Sequence, residues 1–191
     1  MMLAACGSDA DAEPGSSSVA ASSSSAVAEP SPSPAAETAS CPTALPGNGG
    51  TPEWTLPGTT GSVAVTGSTD ALAPEVKVDG PFSVAETQVH TLQAGNGPVV
   101  ADTATVSVCY MGVNGRDGNV FDSSYERGEP AEFPLDGVVP GFQKAIAGQN
   151  VGSTVAVAMA PADGYPDGQP SAGIQKGDSL IFAIKILGVS G

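Results

Sequence analysis

The stretch Leu180-Ile181-Phe182-Ala183-Ile184-Lys185-Ile186 decides the architecture. Leu180, Phe182, Ile184 and Ile186 recur with a period of two and Lys185 lies between two of them, so the segment reads as a β-strand with one buried face. Working outward, similar candidate strands run over 85–93, 103–111, 120–122, 152–159 and 179–189, bounded by Gly, Pro and Asp. Such patterning predicts an antiparallel sheet covered on one face only. A single short helix supplies the cover: Phe142 and Ile146 stand at i and i+4, Pro140 and Gly141 open it, and Gly148 suits the position past its end. The expected class is α+β, a curved antiparallel sheet of about five strands wrapped on one short α-helix.

This pattern occupies residues 84–191, and the chain before it reads differently. The first forty residues contain no aromatic side chain and are dominated by Ser, Ala and Pro. They offer too little apolar surface to offset the entropy of ordering, so residues 7–41 are expected to be a disordered N-terminal tether. Residues 42–83 carry Trp54 and two short alternating runs, Val63-Ala64-Val65 and Val76-Lys77-Val78, among dense Pro and Gly. They read as an irregular extension, packed over the sheet or adding edge strands to it.

The formal net charge of -14 divides into nine acids against Lys77 before Val84 and eleven acids against five bases after it. Neither half is basic, so no electrostatic footprint for a phosphate backbone exists and nucleic acid is not an expected partner. No Cys-x-x-Cys pair occurs and the only histidine, His90, lies far in sequence from any cysteine, so no metal site is expected. His90 reads as an ordinary solvent-facing strand residue.

Leu3-Ala4-Ala5-Cys6 is similar to the lipobox of bacterial lipoproteins, in which two small residues precede a cysteine that is lipidated. Only Met1 and Met2 precede the box, so residues 1–6 read as the remnant of a signal peptide whose charged and apolar regions lie in a longer precursor. A lipidated Cys6 would anchor the chain to the bacterial cell membrane, on its extracytoplasmic side. The 34 residues from Gly7 to Ser40 would hold the domain roughly 30 Å away as a coil. No run of eighteen apolar residues offers another membrane span. Cys41 and Cys109 remain. An oxidising compartment favours their pairing, and the alternation Val106-Ser107-Val108-Cys109-Tyr110 turns Cys109 away from the face of the valines, where a preceding segment could cross. Spacing alone leaves the pairing open.

The runs Val106-Ser107-Val108-Cys109-Tyr110-Met111-Gly112, Asp117-Gly118-Asn119-Val120-Phe121-Asp122-Ser123-Ser124 and Arg127-Gly128-Glu129-Pro130 are followed by Phe133-Pro134-Leu135 and Val138-Val139-Pro140-Gly141-Phe142. Gly148-Gln149-Asn150-Val151-Gly152, Pro161, Gly164-Tyr165 and Leu180-Ile181-Phe182 complete the series. In this order and spacing the domain resembles an FKBP-type peptidyl-prolyl cis/trans isomerase. The resemblance implies a proline pocket lined by Tyr110, Phe121, Val138, Val139, Phe142 and Ile174, with Asp122, Tyr165 and Phe182 in catalytic roles and no cofactor. It further implies proline-containing, unfolded or exported polypeptides as partners, and macrolides such as rapamycin as ligands. Phe142 stands where the family usually has tryptophan. Ala131 and Gly137 stand where many members carry an aromatic and an acid, so rapamycin is expected to bind less tightly. Taken singly, each aromatic also suits core packing and Asp122-Ser123-Ser124 suits a turn cap. Two other readings stay open: a tethered chaperone or peptide-binding lipoprotein using the same pocket without efficient catalysis, and a purely structural lipoprotein. A serine-hydrolase reading fails, because no Gly-x-Ser-x-Gly elbow exists.

Overall fold

The run at Trp54 and the two Val-containing runs upstream of the expected domain are better strand formers than their Pro and Gly content suggests. In a computed structural model, which describes residues 40–46 and 50–190, β1 (Trp54–Pro57), β2 (Thr60–Thr66) and β3 (Glu75–Ser83) form an antiparallel three-stranded sheet. The reading of 42–83 as irregular is therefore corrected: Pro57 ends β1, Gly80 and Pro81 lie within β3 where its register against β2 shifts, and Val63 and Val65 alternate with half-buried residues. The expected lipidation site Cys6 and the tether as far as residue 39 lie outside the described residues.

A second antiparallel sheet holds β4 (Gln88–Gln93), β5 (Thr105–Asn114), β6 (Val120–Ser123), β7 (Ala131–Pro134), β8 (Thr154–Met159) and β9 (Leu180–Ser190). Its order is β4-β8-β9-β5-β6, and β7 pairs Thr105–Val108 of β5 on the edge opposite β9, the edge that β6 takes further along. It has six strands where about five were expected. The missed one, β7, is four residues long and contains Pro134, too short for periodicity to register. Two helices punctuate the sheet: α1 (Ser124–Arg127), one turn long, and α2 (Pro140–Ile146). Pro140 opens α2, and Gly148 stands just past its end with φ 78°. The turn α1 was also missed; Ser123 caps it by accepting the Glu126 N–H, so within Asp122-Ser123-Ser124 the capping residue is Ser123.

Both faces of the larger sheet are buried, which corrects the one-sided expectation. On the inner face Val106, Val108, Val155, Val157, Ile184 and Ile186 pack with Ile146 and Ala145 of α2. Gly141 lets α2 lie close on β8, since a Cβ there would stand 2.5 Å from Met159 Cγ. On the outer face Cys109, Met111, Val113, Ala156, Ala158, Ile181 and Ala183 pack against Val63, Val65 and Phe82 of the smaller sheet. Lys185 made that face look solvated. Its amine instead donates to Gly152 O at 2.9 Å, while its alanine and valine neighbours are small enough for a second layer to close over them. All six residues of β8 are buried, as expected of a central strand covered on both sides. Each fully buried valine of β2 contributes about 1.5–3 kcal/mol to that second interface.

Cys41 and Cys109 are joined by a disulfide, with Cα atoms 5.6 Å apart. Cys41 is therefore part of the outer core, at the end of a strap (residues 40–46) that crosses the sheet. His90 is an exposed residue of β4, stacked on Trp54 of β1 with ring centroids 5.5 Å apart.

Candidate active site

The register between β5 and β9 sets the site. Tyr110 pairs with Ile184 and Gly112 with Phe182, so the Tyr110 and Phe182 side chains emerge on the inner face with no side chain at Gly112 between them. β6 brings Phe121 and Asp122 alongside, and β7 adds Phe133. The link into α2 supplies Gly137, Val138 and Val139, and α2 supplies Phe142. Tyr165 comes from the loop after β8, where Gly168 N–H donates to Tyr165 O at 2.9 Å and closes a Pro166-Asp167 turn. Together they line a cavity of about 430 Å3, within the range of small-ligand pockets.

Four of the chain's five phenylalanines converge here. Phe142 packs edge-on against Phe182 (5.5 Å between centroids), Phe133 (5.7 Å) and Tyr110 (6.0 Å), and Phe121 does the same against Phe182 (5.6 Å). Edge-to-face pairs add about 0.5–1.5 kcal/mol each beyond area burial, and the mutual support fixes the rings as rigid walls. Gly112 is needed for this packing: a Cβ there would stand 2.7 Å from Phe121 Cζ and 2.8 Å from Phe182 Cε1. Gly112→Ala is expected to cost about 1–3 kcal/mol of stability by overpacking and to push a ring into the cavity. Thermal unfolding and rapamycin titration read the two effects; a variant unchanged in both would show that the rings have room to retreat.

One wall is polar. The Tyr110 hydroxyl donates to Asp122 Oδ2, Arg127 Nη1 donates to Asp122 Oδ1 at 2.7 Å, and Arg127 Nη2 donates to the Tyr110 oxygen at 3.1 Å. Partial burial alone would raise the Asp122 pKa, but the hydrogen bonds from Tyr110 and Arg127 outweigh it and hold the carboxyl below its ordinary value. Burial, reinforced by the Asp122 hydrogen bond, pushes Tyr110 up to about 12. Both carboxylate oxygens are thus engaged and the phenol stays protonated at neutral pH. A carboxyl with a depressed folded pKa stabilises above its unfolded value of about 4, and that contribution is lost as pH falls through the lower folded value. Peptide binding is accordingly expected to be flat from neutrality down to about pH 4 and to fail below it. A binding titration that already declines between pH 6 and 5 would contradict this.

Two donors on residues that line the cavity are unspent. The Tyr165 hydroxyl and the Val139 backbone N–H have no acceptor among the described residues. No group of three or more His, Cys, Asp or Glu that could hold a metal ion occurs among the described residues. A shallower depression of about 530 Å3, lined by Leu56, Pro57, Val84 and Glu86 among others, has no aromatic wall and no convergent polar set.

Eight of the nine expected pocket residues meet at the cavity. Ile174 does not: its side chain is 1% exposed, buried within the inner core, and the cavity walls do not include it. Sequence reasoning left out Phe133 and Arg127. Phe133 shares a strand face with Ala131, and alternation through Ala131-Glu132-Phe133 was the available signal. Ala131 itself does not line the cavity, so the wall on this side is Phe133. Arg127 had no such signal, because the turn α1 that carries it is invisible to periodicity.

A model of the FKBP-type peptidyl-prolyl cis-trans isomerase family matches residues 97–187. The chain is 38% identical over 100 residues to the FKBP-type 22 kDa peptidyl-prolyl cis-trans isomerase of Escherichia coli, covering 52% of this chain and 48% of that one. It is 35% identical to a probable FK506-binding protein of Corynebacterium glutamicum, covering 49% of this chain and 78% of the relative. It is 33% identical to an FK506-binding protein of Streptomyces anulatus, covering 61% and 96%. Among solved structures, FkpA from Escherichia coli superimposes with a TM-score of 0.50 at 34% identity, over 55% of this chain and 48% of that one. The chain spans less than half the length of the Haemophilus influenzae and Escherichia coli relatives it matches.

Proposed function

Because the chain belongs to the FKBP-type peptidyl-prolyl cis-trans isomerase family, we propose that its aromatic cavity binds X-Pro segments and catalyses their cis/trans isomerisation. The observation that carries this reading is the rigid cavity of Tyr110, Phe121, Phe133, Phe142 and Phe182, of a size to take a proline ring. Amide resonance separates charge and sets a rotation barrier of about 18–20 kcal/mol. An apolar enclosure disfavours the planar, charge-separated amide relative to the twisted one. Uncatalysed isomerisation takes about 10–100 s, so millisecond turnover requires on the order of 10⁴-fold, about 5.5 kcal/mol. Burial together with one or two hydrogen bonds is of that size.

In this reading the phenyl rings grip the proline, and the Tyr165 hydroxyl and the Val139 N–H donate to substrate carbonyls. Asp122, with both oxygens engaged, orients Tyr110 and Arg127 and transfers no proton. The substrates are proline-containing chains outside the cytoplasm, where the protein is held through lipidated Cys6 and assists their folding. The Cys41–Cys109 disulfide supports an oxidising compartment. No helix among the described residues is long and apolar enough to cross a membrane. Rapamycin would enter the same cavity, where the wall on the Ala131 side is Phe133, and bind less tightly than to members that carry an aromatic in place of Ala131.

The test is the interconversion rate of Leu-Pro and Phe-Pro tetrapeptides with the full chain, with and without rapamycin. Acceleration that rapamycin suppresses supports the isomerase. A folded chain that binds the peptide without accelerating it would be a tethered binding protein instead.

A further inference from the structure

The strap of residues 40–46 lies outside the span matched by the isomerase family model, yet it is tied to the wall of the cavity. Cys41 donates its backbone N–H to Gly128 O at 3.2 Å, and its sulfur lies 3.5 Å from Ser124 Oγ. Those two residues bracket α1, the turn that carries Arg127. Ser124 Oγ in turn accepts the Tyr110 backbone N–H at 2.8 Å, and the disulfide fixes Cys41 to Cys109, the chain neighbour of Tyr110. The strap is held from its other side by the Ala73 N–H, which donates to Ala44 O at 2.8 Å.

A four-residue helix has no stability of its own, so the position of α1 is set by what clamps it. The Arg127 side chain is half exposed, and an ion pair of that kind contributes too little to place a backbone. We propose that the Cys41–Cys109 cross-link and its strap are a positioning device: they hold α1 so that Arg127 keeps Tyr110 and Asp122 in the arrangement that binds and turns over the X-Pro segment. This rests on the isomerase reading of the cavity. It also makes the cavity sensitive to a dithiol reductant. In that exchange the S–S bond breaks, each cysteine sulfur gains a hydrogen, and the dithiol is oxidised to its own disulfide. The strap then loses its anchor.

The experiment uses the full chain and a Leu-Pro tetrapeptide. Four proteins are compared: oxidised wild type, Cys41→Ser/Cys109→Ser, Arg127→Ala, and the three substitutions combined, each shown to be folded by near-ultraviolet circular dichroism. A displaced wall group costs up to about a hundredfold, and a loosened clamp is expected to lower kcat/KM by about threefold to tenfold. Because strap and arginine act through one arrangement, the combined protein is expected to be no slower than Arg127→Ala alone. Full activity in the folded disulfide-free chain, or effects that multiply in the combined protein, would overturn the proposal. Should the double serine variant not fold, Ser124→Ala with the cross-link intact reads the same link. It is expected to slow the wild type and leave Arg127→Ala unchanged, and wild-type activity in Ser124→Ala overturns the proposal equally. No acceleration by oxidised wild type would sink the isomerase reading itself; acceleration indifferent to the strap sinks this inference alone.

Discussion

Phe182→Ala is expected to destabilise the protein by about 3–5 kcal/mol and to lower isomerase activity on the order of a hundredfold. The ring is 5% exposed and stands in a central strand, and it touches the rings of Tyr110, Phe121 and Phe142. Its loss opens a cavity in the inner core and removes the partner that holds the other walls upright. Tyr165→Phe is the contrasting variant. Its hydroxyl is bonded to nothing within the described chain, so stability is expected to change by no more than about 0.5 kcal/mol while activity falls. Denaturant midpoints and peptide kinetics on the two variants decide the matter. Equal stability losses would show that Tyr165 is a core residue and that the site has been misassigned on that side.

Removing the Cys41–Cys109 cross-link is expected to cost about 4 kcal/mol, the chain-entropy value for its sequence separation of 68. The bond closes a long loop that contains the whole of the smaller sheet, so its loss releases β1, β2 and β3 together with the strap. Valines of β2 still bury against the larger sheet, and the protein is expected to remain folded at ambient temperature with a lower unfolding midpoint. The check is guanidinium unfolding of oxidised wild type against the double serine variant. An unchanged midpoint would mean that the reduced chain keeps the strap in place without the bond.

These expectations draw unevenly on sequence and structure. The inner face was legible from the start: Leu180, Phe182, Ile184 and Ile186 could only alternate on one side of a strand, and Phe142 with Ile146 marked the helix that covers them. The residues of the cavity rest instead on the family resemblance of the series between Val106 and Phe182; strand alternation speaks only for those on strands, such as Tyr110 and Phe182, and says nothing of Phe142 on α2 or of Val138, Val139 and Tyr165 in loops. Ile174, named on the same resemblance, lies in the loop after β8 and is buried in the inner core rather than in the cavity wall.

What only the tertiary structure decided is whatever depends on partners distant in the chain. The outer face of the sheet carries Ala156, Ala158, Ala183 and Lys185, a composition equally suited to water or to a second layer; it became core when Val63 and Val65 of β2 packed on it from a segment well upstream of β5, β8 and β9. Arg127 became part of the site because a one-turn helix, with no periodic signature, is clamped by a strap, residues 40–46, that straddles the boundary between the expected tether and the expected extension. Local alternation fixes which face of a strand is apolar, but which segment covers that face is set by long-range packing, and that information is spread over the chain rather than written in any one stretch of it.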